Sequence, residues 1–266
     1  MKSLKAGVVV VLAVLVAAMS AGCFYINLNT AVGNGEMETR EIELDSAVTG
    51  LVNQTSVDVV IDMDLQEKAV LEAESNLIDL IDVSQSGDGM ITVDMKPNIS
   101  ITMRKTMTLR IPAIEGGRIE VRGSGDISQT GGTLTGDSFD VRIAGSGDIQ
   151  LDLKTADLSL TIEGSGDMSL RAATDEIDTR INGSGTISIA GETQKLNVSV
   201  NGSGDFKGFD LYAQDANVIV DGSGDINVYV TEALTGSIDG SGDITYDGDP
   251  DSVDISDNGS GDVHQR

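Results

Sequence analysis

Residues 196–206 read LNVSVNGSGDF, and this stretch decides the fold. Leu196, Val198 and Val200 alternate with Asn197, Ser199 and Asn201, and after the glycines Phe206 resumes the apolar series. A period of two over this length describes a half-buried strand rather than a helix. The same phrase recurs. Gly-Ser-Gly begins at Gly123, Gly145, Gly164, Gly183, Gly202, Gly222, Gly240 and Gly259, with spacings of 22, 19, 19, 19, 20, 18 and 19 residues. Leu158, Leu160 and Ile162 precede one copy and Met168 and Leu170 follow it; Ile226, Val228 and Val230 follow another. Parity continues through the motif, with Ile162, Gly164, Gly166 and Met168 on one face and Glu163, Ser165 and Asp167 on the other. Two backbone readings stay open. Either the chain remains extended and the glycines face inward, where the wall must bend or approach a neighbour, or they supply positive φ in a tight turn whose Asp bonds nearby amides.

One such repeat cannot bury its own apolar face, so neighbours must stack. The expected architecture is all-β: a right-handed parallel β-helix, or β-solenoid, with coils of about 19 residues. Equivalent residues about 4.8 Å apart would spread the motifs over roughly 34 Å. Hexapeptide helices and propeller blades have other periods. Residues 36–122 lack the motif but are rich in strand pattern, and read as irregular opening coils of the same solenoid. One short helix is expected at Ser75–Ile81, with Ser75 as its polar cap. The repeats then fill 123–266, and Asp254 and Asp257 interrupt the last coil, a natural deterrent to end-to-end stacking.

The amino terminus has a different character. Lys2 and Lys5 precede the apolar run Ala6–Ala18, followed by Met-Ser-Ala-Gly-Cys. This run is too short for a transmembrane span and suits an export signal. Ala21-Gly22-Cys23 resembles a bacterial lipobox, although Ser20 stands where Leu is usual. Residues 1–22 are therefore read as a lipoprotein signal peptide, Cys23 as the lipidated residue, and 23–35 as the anchor and tether. A diacyl anchor attaches a chain to a membrane without a spanning helix. The ordinary alternative is a cleaved signal with an incidental thiol.

The acids outnumber Lys and Arg by 43 to 17, for a formal charge of −26 in 266 residues. Removal of the first 22 residues deepens this to −28, since Lys2 and Lys5 are lost and no acid precedes Glu36. Such a chain excludes a sequence-independent nucleic-acid binder, which needs a basic face to release counterions. The chain is nonetheless 39% hydrophobic with a mean hydropathy near zero, enough to build a core. Glycine, at 32 residues, runs at about twice its ordinary share, and half of it lies in the repeats.

The motif also sets up an acidic column: Asp126, Asp148 and Asp167 in one line, Asp205, Asp225, Asp243 and Asp262 in another, with Thr186 between them. Adjacent like charges near 4.8 Å repel by roughly 1 kcal/mol per pair even in water. Hydrogen bonds to turn amides, or a bound cation such as Ca²⁺, would reduce this cost. Zinc-type sites lack ligands by composition, with one Cys and one His, His264, expected to lie exposed near the end. Tyr229 and Tyr246, one coil apart, are read as a surface pair or a small sugar platform. A dinucleotide loop is excluded because a strand, not a helix, follows each Gly-Ser-Gly. No catalytic constellation stands out, and no enzyme is expected.

The phrase Leu71-Glu72-Ala73-Glu74-Ser75-Asn76-Leu77-Ile78 and the serial Gly-Ser-Gly-Asp repeats resemble the GIN-domain family of auto-transporter adhesin heads over residues 36–266. The resemblance implies a bacterial β-helix, often behind a lipoprotein signal, and supplies no catalytic motif. The expected role is a non-catalytic cell-envelope or surface adhesin or binding module, exported and membrane-anchored by its lipid, with a surface protein or glycan as partner. The alternatives are a structural or envelope-stress-associated periplasmic component without a ligand, or a carbohydrate-active β-helix enzyme.

Overall fold

The computed structural model describes residues 30–266. The expected signal peptide, Cys23 and most of the tether lie outside the described residues. The rest is an all-β solenoid of stacked coils, about 19 residues each and about eight turns. Each coil contributes two strand segments, one on either side of the Gly-Ser-Gly corner. Strands Ser138–Ile143, Asp157–Ile162 and the second half of Met168–Ile181 stack in parallel as one wall. Strand Ile149–Lys154 and the first half of Met168–Ile181 begin the other. Both walls then continue through Ile187–Val200, Phe206–Val220 and Ile226–Ile238.

Alternation in the sequence becomes columns in space. On the wall after the corner, Val59, Ile127, Ile149, Met168, Ile187, Phe206, Ile226 and Ile244 sit in register and are all buried. On the wall before it, Val121, Ile143, Ile162, Ile181, Val200, Val220 and Ile238 do the same. The two sets of apolar side chains face one another and fill the interior, so the hydrophobic term accumulates coil by coil. One neighbouring column, Leu160–Thr179–Val198, contains a hydroxyl. The Thr179 oxygen is buried without a hydrogen-bond partner, an uncompensated desolvation.

The opening half departs from simple coil succession. Val48–Asn53 pairs in parallel with both Met90–Met95 and Ile114–Val121. Asp58–Asp62 likewise lies between Thr108–Ile111 and Ile127–Thr130. Residues 48–62 therefore form a coil sandwiched between segments that follow it in sequence. The outer end is closed by antiparallel strands: Lys68–Glu74 against Thr108–Ile111, Met37–Glu43 against Lys68–Glu74, and Ile81–Gln85 against Met90–Met95. These are not opening coils but a cap, and they cover the parallel edges that would otherwise present unpaired amides. Thr30–Val32, expected in the tether, pairs with Ser100–Thr102.

The expected helix contracts to a single 3-10 turn, Ile78–Leu80, preceded by Leu77 with no side-chain cap. Ser75 does not cap it; its hydroxyl accepts from Asn34. Buried Leu77 and Ile78 supply the apolar pair read as helical spacing. The turn is too short to propagate because Ile81 already enters an antiparallel strand.

Candidate functional site

Two corners run along the solenoid, and each is built from a repeated residue type. At the first, the motif glycines stack on one another. A Cβ on Gly164 would overlap the Gly145 carbonyl oxygen, and one on Gly166 would overlap that of Gly147; the same holds for each later copy. None of these glycines has positive φ, whereas Gly35, Gly89, Gly116, Gly117, Gly131, Gly132, Gly191 and Gly248 do. The positive-φ turn is therefore absent and the close approach is present: the glycines permit coil-to-coil contact where the wall bends at the motif instead of staying extended. Ser N–H groups cross the corner to the first glycine of the preceding coil, as in Ser165 to Gly145 at 3.2 Å and Ser184 to Gly164 at 3.1 Å.

Beside the glycines, the aspartates form a hydrogen-bonded ladder. The Asp148 amide donates to Asp126 Oδ1 at 2.9 Å, Asp167 to Asp148 at 2.8 Å, and Thr186 to Asp167 at 2.7 Å. Beyond Thr186 the pattern resumes with Asp225 to Asp205 at 3.1 Å, Asp243 to Asp225 at 2.9 Å and Asp262 to Asp243 at 2.9 Å. The two lines expected from sequence are one column through Thr186. A peptide N–H thus sits between successive carboxylates, which offsets part of their mutual repulsion.

The column also begins earlier than expected. The Asp126 amide donates to Asp58 Oδ1 at 3.0 Å. Thr55-Ser56-Val57-Asp58 occupies the motif position of the 48–62 coil, since the amides of Ser124 and Gly125 both donate to Thr55 O. Ser and Asp are retained there while both glycines are replaced. A buried Asn53 makes this possible. Its Oδ1 accepts from the Thr55 amide and hydroxyl, and its Nδ2 donates to Val57 O at 2.8 Å.

The opposite corner carries threonines. Thr174 Oγ1 donates to Ala156 O of the preceding coil and to Glu176 O, at 2.7 and 3.1 Å. Thr193 repeats the arrangement with Asp175 O and Lys195 O. These hydroxyls fix the bend, leaving the longer side chains around them to face outward. The result is a groove of about 1110 Å³ that crosses several coils, lined by Asp137, Lys154, Asp175, Gln194, Gln214 and Tyr212 among others. Gln194 donates to Asp175 at 2.7 Å. Tyr212, 57% exposed, stands edge-on to Tyr229 with centroids 4.8 Å apart. The expected pair of Tyr229 and Tyr246 does not form. Irregular register between Phe206–Val220 and Ile226–Ile238 sets Tyr229 beside Tyr212, and Tyr246 pairs with Val228.

Several of the cations are taken up in ion pairs along the walls. Arg118 and Arg122 flank the buried Glu120, and Arg142 pairs with Glu163 at 2.6 Å. Hydrogen bonding to Glu163 raises the Arg142 pKa against the opposing effect of burial. The sole histidine, His264, lies in strand Val263–Gln265, on the same face as Asp262 and opposite Thr245. Among the described residues, no helix is long and apolar enough to cross a membrane.

Parallel coils, a glycine corner and an aspartate ladder define the class: a repeat-built β-solenoid scaffold. A family model described as putative auto-transporter adhesin, head GIN domain, matches residues 47–187 and 153–250. The chain belongs to that family. Comparison with curated proteins gives no match. Among solved structures, a putative lipid binding protein from Parabacteroides distasonis is 26% identical with a TM-score of 0.78, covering 89% of this chain and 99% of its own. A putative adhesin from Parabacteroides merdae is 21% identical with a TM-score of 0.79, covering 90% and 99%. A second putative adhesin from Parabacteroides distasonis is 21% identical with a TM-score of 0.80, covering 89% and 100%. None of these three descriptions is of an enzyme.

Proposed function

We propose that this chain is a non-catalytic adhesin head of the bacterial envelope, held to a membrane through lipidated Cys23, and that it binds a neutral glycan along the threonine corner. The groove carries this reading. It is long, crosses coils at right angles to the strands, and offers carboxylate and amide groups in series beside the exposed Tyr212, which half-buried Tyr229 supports edge-on. Sugar hydroxyls need both donors and acceptors, and a tyrosine ring gives an apolar platform with a polar edge. The strong negative charge disfavours anionic polymers, so a neutral polysaccharide fits best. One similar structure is described as a lipid binding protein. That reading gains little here, because the space between the walls is filled by the buried aliphatic columns.

A glycan array probed with the full chain tests the proposal. Binding to neutral oligosaccharides that is lost in Tyr212→Ala supports it. Absence of binding, or binding indifferent to Tyr212→Ala and Gln194→Ala, overturns the groove as the site. For the anchor, Cys23→Ala is expected to release the protein from membranes.

A further inference from the structure

The aspartate ladder ends differently from the way it runs. Asp58, Asp126, Asp148, Asp167, Asp205, Asp225 and Asp243 each accept an amide of the next coil. Among the described residues, no such amide reaches Asp262. Two positions further along the same outward face stands the chain's one histidine. Ligating atoms of Asp243, Asp262 and His264 all lie within 4.8 Å of one another. Asp243 is partly fixed, because its Oδ1 holds the Asp262 amide at 2.9 Å and keeps the adjacent coils in register.

We infer that Asp243, Asp262 and His264 form a binding site for a divalent first-row transition metal, with Zn²⁺ as the natural probe. Two carboxylates and an imidazole are a recurring ligand set for such ions, at about 2.0–2.2 Å each. Ligand atoms around a tetrahedral ion are therefore about 3.4 Å apart. Asp262 and His264 are exposed and Asp243 half-exposed, so small rotations of the side chains close the remaining distance. The imidazole distinguishes this site from the rest of the column. Upstream positions offer oxygen alone, the chemistry of Ca²⁺ and Mg²⁺, whereas a nitrogen donor favours zinc, cobalt, nickel or copper. A bound cation also neutralises two neighbouring carboxylates and ties strand Val263–Gln265 to Ile244–Asp247. The site lies on the opposite corner from the groove, so its fate is independent of glycan binding.

The test uses the full chain without an affinity tag and with Cys23→Ala, so that the thiol cannot contribute. Calorimetric titration with Zn²⁺ is expected to show one ion per chain, and Co²⁺ should give the visible absorption of a nitrogen- and oxygen-ligated centre. In the same background, His264→Ala should weaken binding roughly tenfold or more, and Asp262→Asn should weaken it similarly. Asp148→Asn, in mid-column, should leave it unchanged. Amide exchange at 263–265 should slow on adding Zn²⁺ to the parent and not to His264→Ala. Absence of saturable binding, or binding that ignores His264→Ala, overturns the assignment.

Discussion

A methyl group at Gly164 would have to share space with the Gly145 carbonyl oxygen, and the backbone on either side is pinned by the Ser165-to-Gly145 bond. Relief would require two coils to separate, which breaks the ladder beside them. Gly164→Ala is therefore expected to cost about 3 kcal/mol, the upper end of ordinary overpacking, measured by urea denaturation. Gly87, by contrast, has open space where a Cβ would go and no positive φ. Gly87→Ala should be neutral or stabilise by about 0.5 kcal/mol through the unfolded chain. Equal losses at the two positions would remove close approach as the role of the motif glycines. The parity of Ile162, Gly164, Gly166 and Met168 is legible in the sequence because strand period alone places them inward. Whether they are turn glycines or contact glycines is not, since that depends on the neighbouring coil.

At the level of elements, the cap is fastened by one buried acid. Glu74, at the end of strand Lys68–Glu74, accepts the Gly35 amide at 2.5 Å and the Arg104 amide at 2.8 Å. It thereby joins the first described strand region to the loop after Ser100–Thr102. The Arg104 amide most of all holds the Glu74 carboxyl below its ordinary pKa of 4.5, against the opposing effect of burial. A carboxyl with a depressed folded pKa stabilises the fold when ionised. That contribution is present above pH 4.5 and fades as pH falls through the folded value. Glu74→Gln, whose amide nitrogen cannot accept, should lower Tm at neutral pH, and its gap from the parent should shrink on acidification. A gap that stays constant with pH would mean that Glu74 acts through packing alone. The cap was hidden from the sequence because antiparallel and parallel strands share one alternation. The Thr55–Asp58 corner was closer to the surface of the text: its Ser and Asp are those of the motif, and only the glycines are missing.

For the whole molecule, the two ends are unlike. One is closed by antiparallel strands, whereas the strands at the other, Ser252–Asp257 and Val263–Gln265, pair on one side with earlier coils. Asp257 falls in register with Ile238, placing a charge at the end of an aliphatic column, and Asp251 and Asp254 are exposed on the same edge. Charge there repels a second edge that would otherwise extend the sheet. Replacing Asp251, Asp254 and Asp257 with Thr should shift sedimentation toward larger, concentration-dependent species. An unchanged profile would show that edge charge is not what keeps the ends apart. The period, the walls and the Asp column were readable from spacing, but the stacking order was not, because the interval from Asp58 to Asp126 is no multiple of the repeat. That order has a consequence for the sequence in which the chain can fold. Residues 48–62 meet their neighbours on one side only when 90–111 arrive and on the other only when 114–130 do. The leading part of the polypeptide thus lacks its pairing partners and waits, strand by strand, for later segments to close around it. Front-to-back, coil-by-coil assembly is prevented by topology: the first coil is enclosed only once residue 130 has followed it, whereas each later repeat waits for just one more coil.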